Sequence, residues 1–240
     1  MAHELVASGI GVRYGEAVAL TDVDLVAPGG SVTAVVGPNG AGKSSLLLAL
    51  YGSVGATGSV TVDGEDLSRL SATRRVRRGV ALVPQGRQVF PRLTVRENLQ
   101  LMAELLKLGR GDVDAALDRF PILRQRSRSL AGVLSGGEQQ MLVVTRAIMG
   151  EPRVLLLDEM MTGLAPKVVR HLGDTVRELA TSSGVAVVFA EPAIGATKRI
   201  IDAGVVLVRG EVVARADDAG ALDAAYRRAM GVDADAPVVA

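Results

Sequence analysis

Cysteine is absent from the 240 residues, which excludes disulfides, thiolate nucleophiles and cysteine metal sites. Histidine is nearly absent: only His3 and His171 occur. A multi-histidine metal centre is therefore impossible, and histidine catalysis has two candidates. Six aromatic rings (Tyr14, Tyr51, Tyr226, Phe90, Phe120 and Phe189) are too few to suggest a base-stacking platform for single-stranded nucleic acid. An excess of one charge is missing too. With 27 basic and 26 acidic side chains the net charge is +1, which argues against a nucleic-acid partner. No apolar run exceeds about half a dozen residues, whereas a spanning helix needs roughly 18. The opening MAHELVASGI lacks the charged-then-apolar plan of a signal peptide, so the expected compartment is the cytoplasm.

What is present is an ordinary globular composition, 48% hydrophobic and 22% charged, too apolar for disorder. The length suits one domain with an insertion. Short apolar, β-branched stretches at 31–36, 79–83, 153–157, 185–190 and 204–208 read as buried strands. Earlier strands lie around Leu5–Val12, Ala19–Val26 and Gly58–Val62, the last ending in an Asp63-Gly64 turn, and a further strand is expected at 211–214. Between them, 89–151 reads as a helical block, opened by a Thr94-x-x-Glu97 capping box. Helices are also expected at about 165–181, 193–201 and 217–230. The run Arg74, Arg75, Arg77, Arg78 reads as the solvated face of a short helix. The pattern predicts an α/β fold with a mostly parallel central sheet, an N-terminal antiparallel β part and a helical subdomain. The expected division is a core of 1–88 and 152–240 with a helical subdomain of 89–151.

Residues 37–44, GPNGAGKS, follow the strand at 31–36 and lead into the helical SLLLALY. This is the strand–loop–helix context of a P-loop. The glycines Gly37, Gly40 and Gly42 let backbone N–H groups converge on an anion, and the helix N-terminus adds positive potential. Lys43 can reach the β- and γ-phosphates, and Ser44 can ligate Mg²⁺. Farther along, VLLLDE at 154–159 places Asp158 and Glu159 at the C-terminal end of a buried strand, where ligands bind in open α/β sheets. Asp158 then suits the Mg²⁺ shell and Glu159 suits polarising an attacking water. Ser135-x-x-Glu138 reads as a second capping box. It leaves the adjacent Gly136 and Gly137 unexplained, except as room for close approach by another group.

With GPNGAGKS and VLLLDE in place, LSGGEQQ at 134–140 resembles the signature motif of ABC transporter ATP-binding subunits, P-loop NTPases. The resemblance runs from about residue 4 to 230. It implies ATP and Mg²⁺ as ligands, held by the loop Gly37, Pro38, Asn39, Gly40, Ala41, Gly42, Lys43, Ser44 and Ser45. It implies that Tyr14 stacks on adenine, that Gln85 contacts Mg²⁺ and couples the site to a membrane partner, and that Ser135, Gly136, Gly137 and Glu138 approach the γ-phosphate of ATP held by a second subunit. Lys43, Gln85 and Glu159 become the expected catalytic groups. VPQGRQVFPRLTVRENL at 83–99 and DEMMTGLAP at 158–166 resemble the branched-chain amino acid importer branch, with urea or short-chain amide importers as the alternative. Implied partners are a LivG-like second ATPase or a second copy, two membrane permeases and, indirectly, a solute-binding protein. The implied location is the inner face of the cell membrane.

Three positions depart from the family pattern. Met160 stands where a proline usually follows the glutamate, Ala165 stands where the family has an aspartate, and Pro192 occupies the place of a γ-phosphate-contacting histidine. Proline has neither a polar side chain nor an N–H, so slow intrinsic hydrolysis is expected.

Overall fold

The computed structural model describes residues 2–232. β1 (Glu4–Tyr14) and β2 (Ala17–Pro28) form an antiparallel ribbon whose side chains alternate between buried and open faces. The fully buried β3 (Val32–Val36) then delivers the chain to α1 (Lys43–Tyr51). β4 (Ala56–Val62) pairs with β1 and turns through Asp63 and Gly64, both at positive φ, into the short β5 (Glu65–Asp66). After α2 (Ala72–Val76) comes β6 (Val80–Val83).

Four helices follow: α3 (Val95–Leu106), α4 (Arg110–Asp118), α5 (Pro121–Gln125) and α6 (Gly136–Ile148). Pro121, at the first turn of α5, separates it from α4, since proline starts a helix without losing a needed N–H. Both expected capping boxes form, Thr94 with Glu97 and Ser135 with Glu138. The chain then alternates through β7 (Val154–Asp158), α7 (Pro166–Ser183), β8 (Ala186–Glu191), β9 (Ala203–Val208), β10 (Glu211–Ala216) and α8 (Ala219–Ala229).

The central sheet has the order β10-β9-β3-β8-β7-β6, parallel except for the β9–β10 hairpin, beside the four-stranded antiparallel sheet β2-β1-β4-β5. Strand parity divides the core. On β7, Val154 and Leu156 pack with α1 and the antiparallel sheet, whereas Leu155 and Leu157 pack toward α3–α7. Burial on both faces is why these strands read as unbroken apolar runs.

Two expectations change. The segment 193–201 forms no α-helix but a 3₁₀ turn over Gly195–Ile200. Its buried side chains are Ile194, Thr197, Ile200 and Ile201, and a short 3₁₀ turn is a common connector between elements. The basic run is not uniformly solvated either, because Arg75 is only 4% exposed. Its guanidinium donates to the carbonyls of Ala49 and Leu50 at 2.9 and 2.7 Å, and to those of Leu70 and Ser68 at 3.1 and 3.0 Å. A cation thus satisfies the last carbonyls of α1, where the helix dipole favours positive charge.

Candidate functional site

The loop from Gly37 to Gly42 joins β3 to α1 at the C-terminal edge of the parallel sheet. Gly42 caps α1 with φ 104°, a backbone region closed to side chains, and an added Cβ would meet the Ala19 carbonyl. The N–H groups of Gly40, Gly42, Lys43, Ser44 and Ser45 find no backbone acceptor among the described residues. They are the free donors of a helix start. The loop borders a pocket of about 620 Å³, lined among others by Tyr14, Asn39, Gly40, Gly42, Lys43, Ser44, Ser45, Gln85 and Glu159.

Lys43 is 3% exposed and donates to the carbonyls of Gly37 at 2.9 Å and Pro38 at 3.2 Å. Its Nζ also lies 3.2 Å from Glu159 Oε1. The amide of Gln85 donates to Glu159 Oε2 at 2.8 Å. Two groups more than forty residues apart in sequence, Lys43 and Gln85, thus converge on one distant carboxylate.

Asp158 is 5% exposed, and its Oδ1 has no hydrogen-bond partner. Burial pushes its carboxyl above the usual range, with the nearby Ser44 hydroxyl and Lys43 pulling the other way. An orphaned buried carboxylate oxygen beside a serine hydroxyl suits a hard cation that takes its remaining ligands from phosphate and water. No cluster of three or more acidic, histidine or cysteine ligands exists among the described residues. Such a cation would therefore rely on phosphate oxygens.

Tyr14 is half exposed at the end of β1, with its hydroxyl 3.5 Å from Ser45 Oγ. Ser135 and Glu138 are engaged in their capping box. The room left by Gly136 and Gly137 is used within the chain. An added Cβ at Gly136 would meet the Arg87 guanidinium at 2.4 Å, and one at Gly137 would meet Val168 at 3.0 Å. Local sequence gives no sign of Arg87 or Val168 in this place, because the contacts join separate elements. Val18, Ala19 and Arg209 also line the pocket and carry no motif of their own. His171 is exposed and meets the Phe120 ring edge-on, away from the pocket lining.

The turn after Glu159 is held from β8. Glu159 has φ 44° and donates its N–H to the Ala190 carbonyl at 2.9 Å. Glu191, 4% exposed, accepts from Met161 N at 3.3 Å and from Thr162 Oγ1 at 3.3 Å. Burial raises the Glu191 carboxyl to about 7.

The family model described as ABC transporter matches residues 20–162. The chain is 39% identical over 207 residues to the high-affinity branched-chain amino acid transport ATP-binding protein BraG of Pseudomonas aeruginosa, covering 85% of this chain and 88% of that one. It is 38% identical to the probable branched-chain amino acid transport ATP-binding protein LivF of Archaeoglobus fulgidus, covering 83% and 86%. Among solved structures, the ADP conformation of an ATP-binding cassette of an ABC transporter superposes with a TM-score of 0.82 at 26% identity, over 93% and 94% of the two chains. By the family match over residues 20–162 and by these relatives, the chain belongs to the ABC transporter family, as one of its ATP-binding subunits.

Proposed function

We propose that this subunit binds MgATP in the pocket and hydrolyses it to drive import, with branched-chain amino acids as the cargo. The convergence of Lys43 and Gln85 on Glu159 carries the reading. In it, the loop 37–45 holds the phosphates through the free N–H groups and Lys43, and Tyr14 stacks on the base. Ser44, Gln85 and Asp158 hold Mg²⁺, which neutralises phosphate charge when bound. Glu159 accepts the proton of the attacking water, whose alignment Gln85 assists. In the same reading, a helical subdomain (89–151) set on a core of 1–88 and 152–240 carries Ser135–Glu138 toward a partner's nucleotide. In the resulting sandwich Arg87 must yield part of its contact with Gly136. Two such subunits, LivG-like partner or second copy, close over ATP and transmit motion through the Gln85 region to two permeases fed by a solute-binding protein.

The cargo rests on the names of BraG and LivF and on the motifs at 83–99 and 158–166. No helix among the described residues is long and apolar enough to cross a membrane, which agrees with a peripheral subunit on the cytoplasmic face. The test is affinity purification from membranes. Co-purifying permeases, with release of labelled leucine uptake on reconstitution, are expected. Uptake of urea or short-chain amides instead would reassign the cargo.

Pro192 favours a second reading, in which this site binds ATP and closes the dimer while a partner's site performs most hydrolysis. It offers no donor at the end of β8.

A further inference from the structure

Glu191 is a buried acid that the proposed reaction does not use. It stands at the end of β8, one residue beyond Ala190, which lies opposite Asp158 in the parallel register. Its two oxygens accept from two successive residues of the turn after Glu159, one bond to the Met161 N–H and one to the Thr162 hydroxyl. Glu159 itself sits at positive φ, a region that costs a non-glycine residue roughly 1 kcal/mol or more. A backbone held there persists only if its surroundings enforce it. The residue after Glu159 is Met160, so no proline ring stiffens the turn. Two anchors from β8 supply the constraint: the Ala190 carbonyl on the Glu159 N–H, and the Glu191 carboxyl on Met161 and Thr162.

We infer that Glu191 is a positioning residue, whose carboxyl clamps the 160–162 turn and so fixes Glu159 against Lys43 and Gln85. This rests on the reading of Glu159 as the group that activates water. It assigns Glu191 no contact with nucleotide.

Glu191→Gln keeps both side-chain bonds, because its carbonyl accepts from Met161 and its amide donates to the Thr162 hydroxyl. Glu191→Ala removes these two bonds and leaves the Ala190 anchor. Thr162→Val, at an exposed position, removes one without disturbing the core. Expected for Glu191→Ala is a roughly ten- to hundredfold loss of kcat, the scale set by displacing a reacting group, with ATP affinity by calorimetry unchanged. Thr162→Val loses a few-fold, and Glu191→Gln stays near the parent. Amide hydrogen exchange reports the clamp independently of turnover: the Met161 amide, which donates to the carboxyl, should exchange faster in Glu191→Ala and not in Glu191→Gln. A double-mutant cycle separates this inference from the one beneath it. If Glu191 acts through Glu159, then Glu191→Ala adds almost nothing in a Glu159→Gln background. An equal loss in both backgrounds, a loss confined to ATP affinity, or unchanged exchange at Met161 overturns the positioning role. If Glu159→Gln alone leaves turnover intact, the base assignment has failed instead, and the exchange result still decides the clamp.

Discussion

Lys43 and Glu159 form an ion pair across the nucleotide pocket, Nζ to Oε1 3.2 Å, with side chains only 3% and 12% exposed. The lysine has two further acceptors in the Gly37 and Pro38 carbonyls, so its three protons are satisfied before any phosphate arrives. On the proposed function, an arriving phosphate competes with the carboxylate for this ammonium.

Lys43→Ala should weaken MgATP binding at least tenfold, the scale of a charge-assisted contact of about 1.5–3 kcal/mol. Circular dichroism should match the parent, since the removed amine contacts only loop carbonyls and Glu159. Unchanged affinity by calorimetry would remove the phosphate role from the lysine.

Glu159→Gln should retain ATP binding and lose roughly a hundredfold or more in turnover, the usual contribution of a general base. With hydrolysis blocked, the ATP-bound dimer should accumulate, visible as an ATP-dependent rise in mass by light scattering. Equal turnover in variant and parent would place the base elsewhere.

Pro192→His should raise kcat more than it changes KM, because a donor there stabilises charge that develops in transfer. Steady-state hydrolysis by parent and variant decides it. A parent that is already fast, with no gain from histidine, would show that the end of β8 needs no such donor.

Arg75→Ala should destabilise the fold by roughly 2–4 kcal/mol, since four carbonyls lose a charged donor in a buried setting. Urea unfolding gives the measurement. Arg75→Lys should recover little, because an ammonium cannot span carbonyls that the guanidinium fork reaches together. A loss within 0.5 kcal/mol, the range typical of surface changes, would mean that solvent replaces the fork at no cost.

Glu191 gives stability a pH dependence of definite sign. Burial pushes its carboxyl up to about 7 in the fold from the usual 4.5 of the unfolded chain, with the Met161 and Thr162 bonds pulling down, Glu159 adding to the rise and Lys43 opposing it. Between those values the native state holds the extra proton. Stability therefore falls as pH rises through the window and levels off above about 7. Glu191→Gln lacks this loss. Its stability relative to the parent should improve by on the order of 3 kcal/mol from the acid to the alkaline side of the window. Parallel urea curves at pH 5 and pH 8 test it, and an unchanged difference would show that the acid titrates normally.

The glycine loop 37–45, the paired acids after β7, both capping boxes and most of the strands follow from local sequence. Each is a local pattern: glycines beside an apolar strand, a serine or threonine three residues before glutamate, β-branched runs buried on both faces. Which distant groups meet follows instead from how the elements pack. Arg75 carries the same letter as its solvated neighbours, yet it is buried because the end of α1 lies beside it. Gly136 and Gly137 signal close approach without saying to what, and packing brings Arg87 and Val168 there. The segment after Pro192 reads as helical, yet it winds as a 3₁₀ turn over Gly195–Ile200 between β8 and β9. Glu191 looks like an ordinary strand-end acid, and only the parallel register of β7 and β8 sets its carboxyl under the turn that carries Glu159. Local pattern fixes backbone conformation because its forces act within a few residues. Partnership across the sheet depends on register and layer, which no short window of sequence contains.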